Sequence, residues 1–431
     1  MLKKQQELSL FSAVLINLNI IIGSGIFINT TELAKRAGIL GSFSYALVGV
    51  LLLPLILSFV KLLQLHPSGG FYSFCGTSLH PIVGFFNAWC YFAAKISSAS
   101  LVIHVFVLFM QKTVPMLSLY DPLTLDICIL AILLGLNLFN AKTGSTIQGW
   151  LMILKLFPIF FVIISGIFFL QGTNCGAAHQ LWSGIPATIP LVLHAMLGFE
   201  AACAISRNIK NPQINAPRAV LISYGLVIIL YGLYQTIFYA VLGSELAAQL
   251  DYRTAFPLLI SKFTTNPYAQ MAGDHLINAA IATSALGAGF GMIYANTWNL
   301  YSIAERRLTF FPHIITKLNR YNAPFVCVLA QGALAIFYMF IIQGEKVTFQ
   351  QLSALASTVT YSLSILGLLA TLIAKKQSFW LPILGLINCA LLLSGCVYSI
   401  WWSQNPAPLY IFAFVATAGI GMYCLSAHTN D

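Results

Sequence analysis

Two short stretches decide how this chain folds: Ile22-Gly23-Ser24-Gly25-Ile26-Phe27 and, much later, Met196-Leu197-Gly198-Phe199-Glu200. Each lies in the middle of a long apolar run, the first within residues 10–37 and the second within 186–205. Glycine weakens a helix, and backbone freed at membrane depth is tolerated only where it lines a protein-enclosed or watery cavity. The two runs are the first and the sixth along the chain, corresponding positions if a unit of five spans is repeated with inverted topology. Paired broken helices meeting at the midplane mark the binding site of a secondary transporter. The other role such glycines take is close helix packing, which one stretch alone would fit equally well.

The rest of the composition agrees with a membrane setting. Of 431 residues, 59% are hydrophobic and only 7% charged. So few ionisable side chains could not clothe a soluble surface of this size, which excludes a cytosolic enzyme, a nucleic-acid-binding domain and a disordered chain. The hydrophobic content leaves room for about twelve spans of about 20 residues each. Apolar runs lie near 10–37, 40–64, 82–111, 123–140, 146–171, 186–205, 219–243, 271–304, 323–342, 349–373, 379–400 and 408–426. The expected fold is therefore an all-α polytopic membrane protein forming one domain over 1–431. Nine scattered cysteines without a CxxC pair indicate neither a disulfide framework nor a metal site, and no cofactor is called for. The basic start, Met1-Leu2-Lys3-Lys4, runs straight into an apolar span without a small-residue cleavage site, so an uncleaved first helix is expected.

The net charge of +10 arises from short loops rather than a basic patch. With the N-terminus inside, thirteen basic residues fall on the cytoplasmic side, among them Arg207, Lys210, Arg306 and Arg307. Six, including Lys35, Arg36 and Lys346, fall outside. The positive-inside bias then places both termini in the cytoplasm. Lys95 and Lys155 remain, inside the third and fifth spans. Lys155 stands about nine residues into its span, roughly 13 Å deep. It must find a polar cavity or a partner there, or snorkel to the interface.

Five segments in order resemble the amino acid–polyamine–organocation superfamily of permeases, over nearly the whole chain. They are Gly23-Ser24-Gly25-Ile26-Phe27; Pro67-Ser68-Gly69-Gly70-Phe71-Tyr72 with Pro81, Gly84, Phe85 and Trp89; Asn137 and Gly144 leading to Lys155 and Pro158; Gly198-Phe199-Glu200 with Lys210-Asn211-Pro212 and Pro217-Arg218-Ala219; and Pro312 with Pro324. The likeness is to the general amino acid permease branch or to basic amino acid and polyamine antiporters. It implies a leucine-transporter-type fold: inverted repeats over about 10–171 and 186–373, broken spans 1 and 6, and two further helices over about 379–426. It also implies transport of amino acids by alternating access, with a polyamine or arginine/agmatine antiporter as the alternative; Lys155 standing in for a cation makes the expected transport sodium-independent, as proton symport or as exchange. One departure stands out. The family has acidic residues just before Lys-Asn-Pro, whereas Ser206-Arg207-Asn208 stand here, which puts a cytoplasmic ion-pair gate built on those acids in doubt.

An amino acid presents a carboxylate and an ammonium, and an unwound helix offers bare N–H groups to one and bare C=O groups to the other. In span 1 the N–H groups of Ser24, Gly25 and Ile26 suit the carboxylate, with Gly23 letting it approach. Carbonyls near Ile21 and Ile22, and around His194 and Ala195 before Gly198, suit the ammonium. By resemblance, Lys155 faces the broken part of span 1 where sodium-coupled relatives of this fold hold a cation. There it acts either as a permanent substitute or as a proton-coupling site. Glu200 either relays protons or accepts bonds from unwound backbone. His194, at a position the family fills with a bulky side chain, is a gate, a substrate contact, a pH sensor or a packed neutral ring. Lys95 and Ser98 share a helix face that the resemblance turns toward the substrate. A charged Lys95 there disfavours cationic substrates, unless it bonds neighbouring carbonyls. Tyr294 and Phe199 are candidate pocket walls, and His104 and Asp126 carry no assigned role.

A membrane-embedded enzyme built on Lys155, Glu200 and His194 is the rival class, but HExxH, GxSxG and paired-aspartate motifs are absent from the sequence. A channel would show rings of like charge or repeated filter segments, also absent. The expected partners are an amino acid, protons and the lipid bilayer, not nucleic acid. The chain is expected in a bacterial inner (plasma) membrane, as a monomer or homodimer.

Overall fold

The computed structural model describes residues 8–23, 25–67, 69–139, 141–168, 182–250 and 252–429, with Ser24 therefore outside the described residues. The regular elements in this range are helices, apart from one isolated bridge. In order the helices are α1 (Leu10–Ile21), α2 (Gly25–Ala37), α3 (Phe43–Leu65), α4 (Gly70–Gly76), α5 (Pro81–Thr113) and α6 (Pro122–Leu136). Next come α7 (Ala141–Phe168), α8 (Ile185–Met196), α9 (Ala201–Ala204), α10 (Pro212–Leu242), α11 (Ser244–Ala248) and α12 (Tyr252–Phe263). The last six are α13 (Pro267–Glu305), α14 (Pro312–Ile315), α15 (Phe325–Ile342), α16 (Lys346–Ala374), α17 (Trp380–Ser403) and α18 (Ala407–Thr429).

The starts of these helices follow from local chemistry. Proline occupies the first turn of α5, α6, α10 and α13, where its missing N–H costs nothing. Polar caps take the orphan donors: Asp121 accepts the Thr124 N–H at 3.1 Å, and Asn266 accepts that of Tyr268 at 3.0 Å. Among the described residues nine helices are long and apolar enough to cross a membrane, and the pair α1/α2, bent by 49°, makes a tenth span. The fourth expected span is the shorter α6, and the sixth is divided between α8 and α9. The twelve runs read from sequence thus have helical counterparts. The short helices α4, α11, α12 and α14, lying between spans, were not anticipated.

The long α5 is central, packed along both α13 and α16. Around α1 gather α7, α10 and α13, while α2 lies against α8. Peripheral α17 and α18 turn large apolar side chains outward, Leu391 and Trp401 among them. Such a surface suits hydrocarbon rather than water.

Candidate functional site

Both expected breaks are present, and they meet. α1 ends at Ile21 and α2 resumes at Gly25; α8 ends at Met196, residues 197–200 form turns, and α9 begins at Ala201. Gly198 has φ +116°, a conformation open to glycine and strained for other residues. A Cβ there would lie 3.0 Å from Ile20 Cγ2 and 3.2 Å from the Ile21 backbone nitrogen, so the glycine also lets the two breaks touch. At Gly25 a Cβ would lie 3.2 Å from Cα and Cβ of Ala195. The N-terminus of α2 and the C-terminus of α8 therefore stand side by side.

Asn17 stitches the breaks together. Its Nδ2 donates to the Phe199 carbonyl at 3.0 Å and to Ser223 Oγ at 3.2 Å, and its Oδ1 accepts the Ala202 N–H at 2.8 Å. One side chain of α1 thereby satisfies both a carbonyl and an amide left over by the interruption of span 6. Glu200 Oε2 accepts the Gly198 N–H at 3.0 Å from within the same turn.

Lys155 is wholly buried, and its ammonium sits at the end of α1. Nζ donates to the carbonyls of Asn19 at 2.7 Å and Ile22 at 2.6 Å. Ser284 Oγ of α13 donates to the same Ile22 carbonyl at 3.4 Å and to that of Gly23 at 3.3 Å. Tyr231 OH donates to the Ile21 carbonyl at 3.1 Å. The carbonyls of Ile21 and Ile22, read from sequence as partners of a substrate ammonium, are therefore already engaged by the protein. The ammonium has not snorkelled; freed backbone oxygens satisfy it. Beside it the Asn19 side chain donates to Gln148 Oε1. Close approach of α13 depends on small residues, since a Cβ on Gly287 would meet Asn19 Oδ1 at 2.6 Å and Lys155 Cε at 3.3 Å.

A cavity of about 470 Å³ opens above the breaks. Gly23, Gly25, Ala195 and Gly198 are in its wall. Ile22 and Ile26, chain neighbours of Gly23 and Gly25, are fully buried and do not line it, contrary to their reading as site residues. Lys95 and Ser98 of α5 line it together, as their shared helix face required. Ser98 Oγ and Ser353 Oγ of α16 lie 2.5 Å apart. Leu101, Val102, Ala288 and Met292 supply apolar wall. The mouth carries Glu32, Leu250 and Lys346.

Among the described residues Lys95 bonds no neighbouring carbonyl; its ammonium forms a buried ion pair with Glu200 Oε1 and stands 5.4 Å from the Tyr91 ring centre. Asp126 and His104, given no role from sequence, form a specific pair: Asp126 is buried, with Oδ2 2.7 Å from His104 Nδ1. Tyr294 turns to α7, its ring beside Gly144, and α13 contributes Ala288 and Met292 to the cavity instead. Phe199 joins an aromatic cluster with Phe59 and Tyr361, at centroid distances of 5.7 and 5.8 Å, rather than the cavity wall. Ser24 and the side chain of His194 lie outside the described residues.

Away from the mouth, the segments on either side of the helix ends bond to one another. Leu8 pairs with Ile209 in an isolated parallel bridge, with N–H to O distances of 2.6 Å (Leu8 to Asn208) and 2.9 Å (Lys210 to Leu8). Arg207 holds Glu305 through two bonds, of 2.6 and 3.1 Å, and lies 5.1 Å from the Tyr301 ring centre. A gate built on acids before Lys210-Asn211-Pro212 is not formed by these residues; the ion pair found beside them joins a cation that follows span 6 to an acid that ends α13.

Asn17, Asn19, Gln148, Ser284 and Gly287 were missed by sequence reading. Their signals were polar residues at Asn17 and Asn19 inside an apolar run, and the small-residue stripe Gly287-Ala288-Gly289-Phe290-Gly291.

The pattern that describes a family of amino acid permeases matches residues 8–423. The lysine-specific permease of Lactococcus lactis subsp. cremoris is 23% identical over 379 residues, covering 80% of this chain and 71% of the relative. The branched-chain amino acid permease of Bacillus subtilis is 22% identical over 405 residues, covering 88% and 83%. The b(0,+)-type amino acid transporter 1 of Oryctolagus cuniculus is 24% identical over 400 residues, covering 86% and 77%.

Proposed function

The chain belongs to the amino acid permease family, and from that premise we propose that it carries neutral amino acids across a plasma membrane by alternating access, without sodium. The observation that carries the reading is Lys155, whose ammonium binds the carbonyls of Asn19 and Ile22 at the broken end of α1, as a bound cation would. A tethered ammonium stabilises these oxygens permanently, so no dissolved cation is required to assemble the site.

The substrate carboxylate binds the orphan N–H groups at the start of α2, those of Gly25 and Ile26, which face no intrahelical acceptor. Its ammonium binds carbonyls near Ala195 at the end of α8, because those of Ile21 and Ile22 are engaged. Leu101, Val102, Ala288 and Met292 then receive an apolar side chain, and the name of the branched-chain permease relative agrees with that preference. The charge bias of the loops places the cavity mouth outside and the Arg207–Glu305 latch in the cytoplasm. This arrangement is an outward-open carrier.

Purified protein in liposomes tests the reading. Labelled leucine uptake is expected to saturate, to be stimulated by unlabelled amino acid inside, and to be unchanged when choline replaces sodium. Lys155→Ala removes it. A strict sodium requirement overturns the role of Lys155, and absence of amino acid uptake overturns the carrier reading itself. Exchange is favoured because the resident cation is covalently fixed. Uptake driven by an imposed pH gradient into empty vesicles would identify proton symport instead.

A further inference from the structure

We propose that Lys95 is an internal counterion occupying, on Glu200, the place that a cationic substrate side chain would otherwise take, and that this makes the carrier selective for neutral amino acids. The inference rests on the carrier reading above and concerns the same cavity.

Lys95 lines the cavity while Glu200 is fully buried behind it, and the two form an ion pair. The acid is fixed one hydrogen bond from the cavity wall, because Glu200 Oε2 accepts the N–H of the wall residue Gly198. The lysine side chain is therefore the partition between a carboxylate and the substrate space. Its four-carbon stem descends from α5, on the same helix face as Ser98, and ends in an ammonium.

Two consequences follow. With the pair intact, the acid is neutralised, and a substrate arriving with a cationic side chain meets the Lys95 ammonium rather than a carboxylate. Like-charge juxtaposition in a desolvated site suppresses such a partner. With Lys95 truncated, a buried carboxylate loses its counterion, a costly state that any fitting cation relieves. A lysine substrate carries an ammonium on a stem of the same length. Conversely, neutralising Glu200 leaves the Lys95 ammonium facing the cavity unpaired, which favours an acidic side chain.

The experiment is a competition and uptake series in liposomes, with labelled leucine, lysine and glutamate as probes. In the unaltered protein, lysine is expected to leave leucine uptake unchanged at concentrations where unlabelled leucine abolishes it. Equal competition by lysine overturns the proposal without any variant. Leucine uptake itself, measured in parallel, reports whether the carrier reading stands, so the two failures are separate. Lys95→Ala and Lys95→Met are expected to gain lysine affinity by about tenfold or more, a change of about 1.4 kcal/mol. Glu200→Gln in the same background removes that gain, and Glu200→Gln alone shifts preference toward glutamate. Lys95→Arg keeps lysine excluded. A purely structural pair would lower uptake of all three probes together. Folded, monodisperse variants whose substrate preference does not move with the charge overturn the proposal.

Discussion

Gly198 shows how much one residue decides. Its φ of +116° sets the turn that interrupts span 6, and its missing side chain leaves room for Ile20 and Ile21. Replacing it with alanine adds backbone strain of about 1–3 kcal/mol and a methyl at 3.0 Å from Ile20 Cγ2. Gly198→Ala is therefore expected to lower the midpoint of thermal unfolding in detergent and to remove the protection that a bound amino acid gives. Gly135→Ala, where a Cβ meets nothing within 4 Å, serves as the control. At this scale the sequence was informative where chemistry left no other explanation. An ammonium in an apolar run must be solvated by something, so Lys155 announced itself. Asn17 did not, because an amide can be satisfied locally or by any adjacent backbone. Only the fold shows that it spans 182 residues of sequence to reach Phe199.

Between elements, the latch away from the mouth joins the segment after α9 to the C-terminus of α13. Arg207 and Glu305 are partly exposed, with side-chain exposures of 20% and 48%. Pairs in such settings contribute about 0.2–1 kcal/mol, which changes a population by up to about fivefold. Under the proposed transport cycle, a latch of this strength biases one state over another and does not lock it. Arg207→Glu is expected to raise reactivity of a cysteine placed at Tyr301 toward a thiol reagent, and the swap Arg207→Glu with Glu305→Arg restores the starting level. No change in reactivity would remove the latch from the transport cycle. Sequence reading missed this pair because its partners lie 98 residues apart and each resembles an ordinary loop charge. The same distance effect hid the partner of Glu200, whereas the interruptions in spans 1 and 6 were legible because glycine acts on its own helix.

Across the described residues, the two ends of the helix bundle differ in what occupies them. The cavity reaches from Glu32 and Lys346 to the two interruptions, while Leu8, Ile209 and the Phe59–Phe199–Tyr361 cluster fill the opposite side. A cysteine at Val105, introduced after Cys128→Ser and Cys175→Ser, is expected to react with an impermeant reagent applied outside cells and to be protected by leucine. Labelling only after permeabilisation would reverse the assigned sidedness. The polytopic, all-helical character was readable from hydropathy alone. The cavity walls were not, since Leu101, Val102 and Met292 look like packing residues until the helices around them are placed.

The amide of Asn17 has one more consequence. One amide group holds backbone on both sides of the interruption in span 6, so any movement that parts α1 from that turn breaks those bonds together. Shortening the side chain, as in Asn17→Ala, leaves a buried carbonyl and a buried amide without their partner at once, a loss of about 1–3 kcal/mol for each orphaned group.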